Sequence, residues 1–391
     1  MDTLKIICYG CNQKLDISEL EPFTRLLCPV CNTKLTVPKS FGNFLLEEIL
    51  GSGDLATAYR ANDLTLDREI VVKVLSEEMS AHPDVPQLYI NEARMASAIN
   101  HPNVIPIFSC GENKGRPYLV MQFMPGSGLH KQIDPESPPA VVDVCRWFME
   151  AAKGLDSAAM HGMLHHDLRP SNIFLDLEGN VKIGDFGLQM ALTPARPILK
   201  DGRPNISAEQ AQYFSPERLR TGRQEVTGDI FSFGASFYHV LTGHPPFPGE
   251  TMDAVLTSRR EQPTPSARKL NDDIPPAIDK LLRQTLAVDP EERPSTYAEI
   301  VIILKDCLQD MHKKASSALP IHPPPGTTAN MPASKPSTRS RAKTKVVVLD
   351  ADGKQVVQTA HPLIRVARIA IPVLLVILAL LLAYILAFHN R

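Results

Sequence analysis

The stretch His161–Phe174 reads HGMLHHDLRPSNIF, and a second apolar run, VKIGDFG, follows it and ends at Gly187. Few folds accommodate this arrangement. The runs IFLD and VKIGDFG flank Glu178, Gly179 and Asn180, which are turn formers, so the two runs read as a hairpin. A hairpin brings its entrance next to its exit. Asn172 at the entrance is therefore expected beside Asp185 at the exit, with Asp167 in the loop just before. Two oxygen ligands placed in this way can hold Mg2+ between phosphates. Asp167 would face an acceptor hydroxyl and take its proton as that oxygen attacks. The segment CRWFMEAAKGLDSAAMHG ahead of the loop is helical in pattern.

Upstream, LLEEILGSGDLATAYRA (Leu45–Ala61) carries Gly51-Ser52-Gly53 at the end of an apolar run. A Gly-x-Gly turn lets backbone N–H groups approach phosphate oxygens without interference from Cβ, although glycine turns are common and the pair alone specifies little. REIVVKVL then reads as a strand holding Lys73. YINEARMASAINHPNV is helical in pattern, with Glu92, Met95, Ala96 and Ile99 on one face. A carboxylate on that apolar face requires a counter-charge, and Lys73 is the obvious candidate. A lysine held this way can clamp the α- and β-phosphates of ATP.

Taken in order and spacing, these features resemble the eukaryotic-like (bacterial) Ser/Thr protein kinase family over residues 44–312. The resemblance implies an α+β, bilobal protein-kinase fold, β-rich over 44–122 and helical over 123–312. It implies transfer of the γ-phosphate of Mg-ATP to Ser or Thr hydroxyls of protein substrates. By that resemblance Lys73 pairs with Glu92, Gly51, Ser52 and Gly53 form the nucleotide loop, and Met121, Gln122, Phe123 and Met124 are the hinge that receives adenine. Asp167 is the catalytic base, and Asn172 and Asp185 bind magnesium. Arg169 supplies the positive charge that meets the γ-phosphate. FSPERL resembles the end of an activation segment, with Glu217 paired to Arg293 of DPEERPS, and Asp229 resembles the buried Asp that braces the catalytic loop.

The chain also departs from the family pattern. Ala56 replaces the third glycine of the loop and Ala58 the valine over adenine. His166 stands where an Arg normally reads a phosphate on the activation segment, and Gln210 stands where a Thr is common. Reader and acceptor are both missing, so switching by phosphate at that position is not expected. Thr193 and Ser207 remain alternative acceptors. Arg169 replaces a Lys, and a guanidinium fork is not a point charge. The residues that would do chemistry are intact, so an active kinase is expected. A pseudokinase scaffold and a zinc-ribbon nucleic-acid-binding protein with an accessory kinase domain are the competing readings.

Residues 1–39 form a different unit. The pattern C-x-x-C-N-x-K-L occurs twice, at Cys8/Cys11 and at Cys28/Cys31. Each pair can wrap one edge of a tetrahedral Zn2+, and an Asn after the second Cys tolerates the left-handed backbone such a knuckle often needs. So short a unit has little core, and thiolate ligation must supply most of its stability. It resembles a zinc ribbon with a structural metal. It lacks a strong basic cluster, and the net charge of −2 gives no argument for nucleic acid as a partner.

Beyond the kinase-like region, residues 313–368 read as a Pro/Ser/Thr-rich, then basic, linker with a hairpin-like stretch at Lys345–Gln358. Ile369–Phe388 is 20 residues without a charge. At about 1.5 Å per residue it spans roughly 30 Å, one hydrocarbon core. Arg365 and Arg368 precede it, which biases the N-terminal side toward the cytoplasm. The expectation is a single-pass membrane protein with its bulk cytoplasmic, receiving input through the ribbon, the linker or homodimerisation of the anchor.

Overall fold

The structure, a computed structural model, describes residues 5–201, 203–261 and 264–318. The Lys345–Gln358 stretch and the apolar run Ile369–Phe388 lie outside the described residues, as does the linker beyond Ala318. Among the described residues no helix is long and apolar enough to cross a membrane. Among the described residues, 5–49 and 60–69 fall in one compact unit, and 50–59 and 70–318 in a second.

The N-terminal part is a pair of hairpins. Strand β1 (Lys5–Ile7) pairs antiparallel with β2 (Lys14–Asp16), and β3 (Arg25–Leu27) with β4 (Lys34–Thr36). Their shared core is small: Ile6, Cys8, Ile17, Cys28, Leu35 and Val37.

Strands β5 (Lys39–Phe41), β6 (Phe44–Ser52), β7 (Ala56–Asp63), β8 (Arg68–Leu75), β9 (Ile107–Asn113) and β10 (Arg116–Gln122) form one sheet in the order β5-β6-β7-β8-β10-β9. β8 covers the expected REIVVKVL segment from end to end. Its period-2 pattern buries Ile70, Val72 and Val74 and turns Lys73 to the other face. β10 runs antiparallel to it, with Leu119 opposite Lys73 and Met121 opposite Val71. Two helices follow β8: α1 (Glu77–Ser80), capped by the Ser76 hydroxyl, and α2 (Val85–Ser97). α2 buries Val85, Tyr89, Ala93 and Ala96; of the expected face, Ala96 and Ile99 are buried, Glu92 is half-buried and Met95 alone is exposed. The buried stripe is shifted toward the ring of Tyr89, which takes a core position in place of Met95. Its hydroxyl donates to the Lys73 carbonyl at 2.9 Å.

The larger core is helical. α3 (Val141–Met160) buries Val144, Cys145, Phe148, Ala151, Ala152, Leu155 and Ala158, one stripe at i, i+3, i+4 spacing. Phe148 stacks on Phe237 at 4.6 Å between ring centroids and meets Phe233 edge-on at 5.3 Å. Each such fully buried ring contributes about 1.5–3 kcal/mol of transfer free energy. A small sheet of β11 (Ser127–Gly128), β12 (Ile173–Leu175) and β13 (Val181–Ile183) supplies the predicted hairpin. α4 (Leu188–Leu192), α5 (Ala208–Ala211) and α6 (Pro216–Thr221) lie along the segment that follows. α7 (Val226–Thr242) is buried nearly all round, and Ser236 inside it donates to the Leu168 carbonyl at 3.4 Å. A Cβ at Gly234 would lie 2.2 Å from Thr285 Oγ1, so glycine is needed for α9 (Pro276–Thr285) to approach once α8 (Met252–Glu261) has passed. α10 (Tyr297–Ala318) continues six residues into the stretch expected to be linker.

Candidate active site

The loop before β12 is held from beneath. Asp229 on α7 accepts from His165 N at 2.5 Å and His166 N at 3.1 Å. Burial pushes its carboxyl up to about 6, against the opposing effect of these N–H groups. His165 is buried and its Nε2 lies 2.9 Å from the Gly184 carbonyl, which ties the loop to the strand leading into Asp185. His166 has φ 67°. Arg218, one residue past Glu217, donates to the His166 carbonyl and to Gln224 Oε1 at 2.6 Å, and it stacks on the Phe214 ring at 3.8 Å. Sequence reasoning missed Arg218. It places a buried guanidinium under a loop whose own expected Arg is His166.

On the loop's upper side the expected polar groups come together. Asn172 Nδ2 donates to the Asp167 carbonyl at 2.8 Å and to Asp167 Oδ2 at 3.3 Å. Gly184 N donates to the Asn172 carbonyl at 3.0 Å, so hairpin entrance and exit do meet. Burial raises the Asp167 carboxyl, and Arg169 and Arg218 oppose that rise. Arg169 lies 3.5 Å from Asp167 Oδ2 and 3.4 Å from Glu209 on α5. Asp185 has φ 65° and accepts from Lys73 Nζ at 2.8 Å. Burial would raise the Asp185 carboxyl, but the Lys73 ammonium holds it below the usual carboxylate value.

That ion pair differs from the expected Lys73–Glu92 pair. Lys73 pairs with Asp185 across the hairpin exit. Glu92 instead sits against Gly187, where its Oε2 would be 2.4 Å from a Cβ. Burial raises its carboxyl. The short α4, which no sequence periodicity announces, packs Leu188 and Ala191 into the same apolar cluster as Val85, Tyr89 and Ala93 of α2. Phe186 is buried against His165 at 4.8 Å between rings.

Gly51 and Gly53 flank Ser52 at the tip between β6 and β7, and added Cβ atoms there would meet nothing within 4 Å. Ser52 Oγ lies 3.0 Å from Thr57 Oγ1. Met121 and Met124 are buried, with Gln122 and Phe123 partly exposed between them. Farther down, Arg293 clamps Glu217 through two bonds at 2.8 and 2.9 Å, the pair expected from the resemblance. Asn172 and Asp185 offer amide and carboxylate oxygens of the type Mg2+ takes. Gln210 closes a capping box with Ser207 at the start of α5.

In the N-terminal unit the sulfurs of Cys8, Cys11, Cys28 and Cys31 lie within 4.8 Å of one another. The Cys8–Cys31 and Cys11–Cys28 pairs are each 3.5 Å apart. Tetrahedral ligation at about 2.3 Å per Zn–S bond gives edges of roughly 3.8 Å, so the donor set fits zinc. Asn12 and Asn32 have φ 59° and 57°, the left-handed backbone expected after each knuckle. Asn12 N donates to the Cys8 carbonyl at 2.7 Å and Asn32 N to the Cys28 carbonyl at 2.9 Å, so the two knuckles repeat in register.

Residues 44–309 match the protein kinase domain family. The serine/threonine-protein kinase PknB of Mycolicibacterium smegmatis is 32% identical over 272 residues, 68% of this chain and 43% of that protein. The serine/threonine-protein kinase PrkC of Bacillus subtilis is 28% identical over 264 residues, 68% of this chain and 40% of that protein. The chain thus matches about two fifths of the length of these relatives. A crystal structure of the Mycobacterium tuberculosis PknI kinase domain covers 68% of this chain and 97% of its own, with a TM-score of 0.54 at 20% identity, and carries the same bilobal α+β fold. Residues 44–309 are a protein kinase domain, and the chain belongs to the protein kinase family.

Proposed function

We propose that the protein transfers the γ-phosphate of Mg-ATP to Ser or Thr hydroxyls of protein substrates, at the cytoplasmic face of a membrane. The observation that carries this reading is the meeting of Lys73 on β8, Asp167 and Asn172 in the loop before β12, and Asp185 just after β13, with Lys73 almost a hundred residues from the rest in sequence. Asn172 and Asp185 hold magnesium, which neutralises phosphate charge when bound. Lys73 exchanges Asp185 for the α- and β-phosphates, and Glu92 is then its partner on α2. The backbone of Gly51–Gly53 lies over the phosphates, and Met121–Met124 receive adenine. Asp167 accepts the hydroxyl proton, and burial, by raising its carboxyl, makes it the stronger base for that task. Arg169 stands beside Asp167 where the γ-phosphate arrives. Catalysis on this reading is positioning and electrostatics.

The N-terminal unit holds one structural zinc through Cys8, Cys11, Cys28 and Cys31. Ile369–Phe388 anchors the chain in the membrane, with residues 1–39, 44–312 and 313–368 as ribbon, kinase domain and linker on its cytoplasmic side.

The test is phosphate incorporation from labelled Mg-ATP by wild type and by Asp167→Asn, with sites read by mass spectrometry. The expected result is incorporation on Ser or Thr in wild type and a drop of about 10²–10⁴-fold in the variant, the contribution of a positioned base. Equal, background-level signal in both would assign the fold to a scaffold instead.

A further inference from the structure

Arg259, on α8, has no counterpart among the residues expected to matter; it sits in the sequence TSRREQ, which reads as a solvated surface. The structure shows otherwise. Its Nη1 donates to the Phe214 carbonyl at 2.5 Å, and its Nη2 donates to the Ala211 carbonyl at 2.5 Å and the Gln212 carbonyl at 3.0 Å. The guanidinium lies over two aromatic rings, 5.1 Å from Phe231 and 5.3 Å from Phe247, which stack on each other. Arg293 approaches the Phe231 ring at 5.1 Å. Burial lowers the Arg259 guanidinium to about 9, with the Glu217 carboxylate opposing that fall and Arg293 adding to it. The cation is thus enclosed and held by carbonyl oxygens.

These three carbonyls are not arbitrary. Ala211 ends α5, and helix-terminal carbonyls lack intrahelical donors. α5 carries Glu209, which meets Arg169, which in turn meets Asp167. The backbone from 208 to 214 is therefore tied to the proposed base through Arg169 and forms a wall beside it. Kinases often order this wall by phosphorylation, but His166 and Gln210 remove the usual reader and acceptor here. We infer that Arg259 is a positioning residue that fixes the substrate-facing backbone Ala211–Phe214 from beneath, so that the wall is ordered without a phosphate. Tyr213, whose hydroxyl lies 2.7 Å from His239 Nδ1, adds a second tie from α7.

This inference rests on the kinase reading above, and its test keeps the two apart. Full-length wild type, Arg259→Met and Arg259→Lys are compared in two assays. The first is amide hydrogen exchange, which needs no activity. Exchange at Gln212, Tyr213 and Phe214 should quicken by about tenfold or more in Arg259→Met, with α3 and α7 unchanged, and by less in Arg259→Lys. The second is steady-state kinetics with dephosphorylated casein as acceptor. KM for casein should rise about tenfold while KM for ATP moves less than about twofold, with the Lys variant between. Unchanged exchange in the wall overturns the inference. So does faster exchange spread evenly through α3 and α7, or a parallel rise in both KM values. If Arg259→Met does not fold, Arg259→Lys decides by the same criteria. If wild type transfers no phosphate, the kinase reading fails while the exchange result still judges Arg259.

Discussion

Arg293 offers the most quantitative test of how the helical lobe is held. A guanidinium has five N–H donors, and here all are used. Nε donates to the Ala287 carbonyl, Nη1 to Glu217 Oε1 and the Thr227 carbonyl, and Nη2 to Glu217 Oε2 and the Val288 carbonyl, at 2.8–3.1 Å. The Arg293 side chain is 0% exposed and that of Glu217 20%. Burial alone would raise the Glu217 carboxyl, but the Arg293 hydrogen bonds hold it below its ordinary value. Arg293→Met keeps the stem and strips every donor, leaving one buried carboxylate and three carbonyls without this partner. Breaking a buried pair in this way costs about 3–5 kcal/mol, a large share of the roughly 5–15 kcal/mol that holds a domain folded. Urea unfolding of the full-length protein should show the midpoint of this domain falling accordingly, with m unchanged. Glu217→Gln should cost less, about 1–3 kcal/mol, because the amide keeps the shape and one acceptor. The double variant removes the orphaned charge, so its loss should fall short of the sum by about 1.5 kcal/mol or more. Strictly additive losses, or a cost below about 1 kcal/mol for Arg293→Met, would refute the claim that this pair anchors the segment.

Two further outcomes are expected. Purified protein should retain one zinc per chain by elemental mass spectrometry; chelation or Cys28→Ser should release it and open the remaining cysteines to thiol reagents, and protein that never holds zinc would rule the site out. Stability should fall as pH drops from 7 to 5. Burial holds His165, His166 and His239 at about 4, so the unfolded chain takes up protons from about pH 6.5 downward while the folded chain does not until about pH 4. Each imidazole then loses the fold about 2 kcal/mol at pH 5, partly offset by about 1.4 kcal/mol from Asp229, whose raised value makes the folded state the better proton acceptor. A thermal midpoint that is flat or rising between pH 7 and 5 would contradict this accounting.

What the sequence disclosed depended on how local each feature was. REIVVKVL became a strand with its bounds intact because alternation is written into consecutive residues. The left-handed Asn12 and Asn32 were legible because a knuckle imposes its backbone within four residues. The hairpin that joins Asn172 to Asp185 followed from turn chemistry at Glu178–Asn180. Choices between distant partners were not legible. Nothing in the order of residues says whether Lys73 pairs with Glu92 or Asp185, since that depends on where α2 and α4 settle. On α2 the expected stripe holds at Ala96 and Ile99 and fails at Met95, because Tyr89 and Met95 both fit a helical stripe and only the rest of the fold decides between them. Arg218 and Arg259 gave no signal at all. Arginines next to other charged residues look like surface until a fold closes over them.

The duplicated knuckle has a consequence of its own. Two hairpins that present sulfur pairs in matching hydrogen-bond register behave as the jaws of one symmetric grip, and neither jaw has anything to close upon by itself. Partial assembly therefore gains almost nothing, and the grip should form or fail as a whole, with damage to either jaw equally fatal.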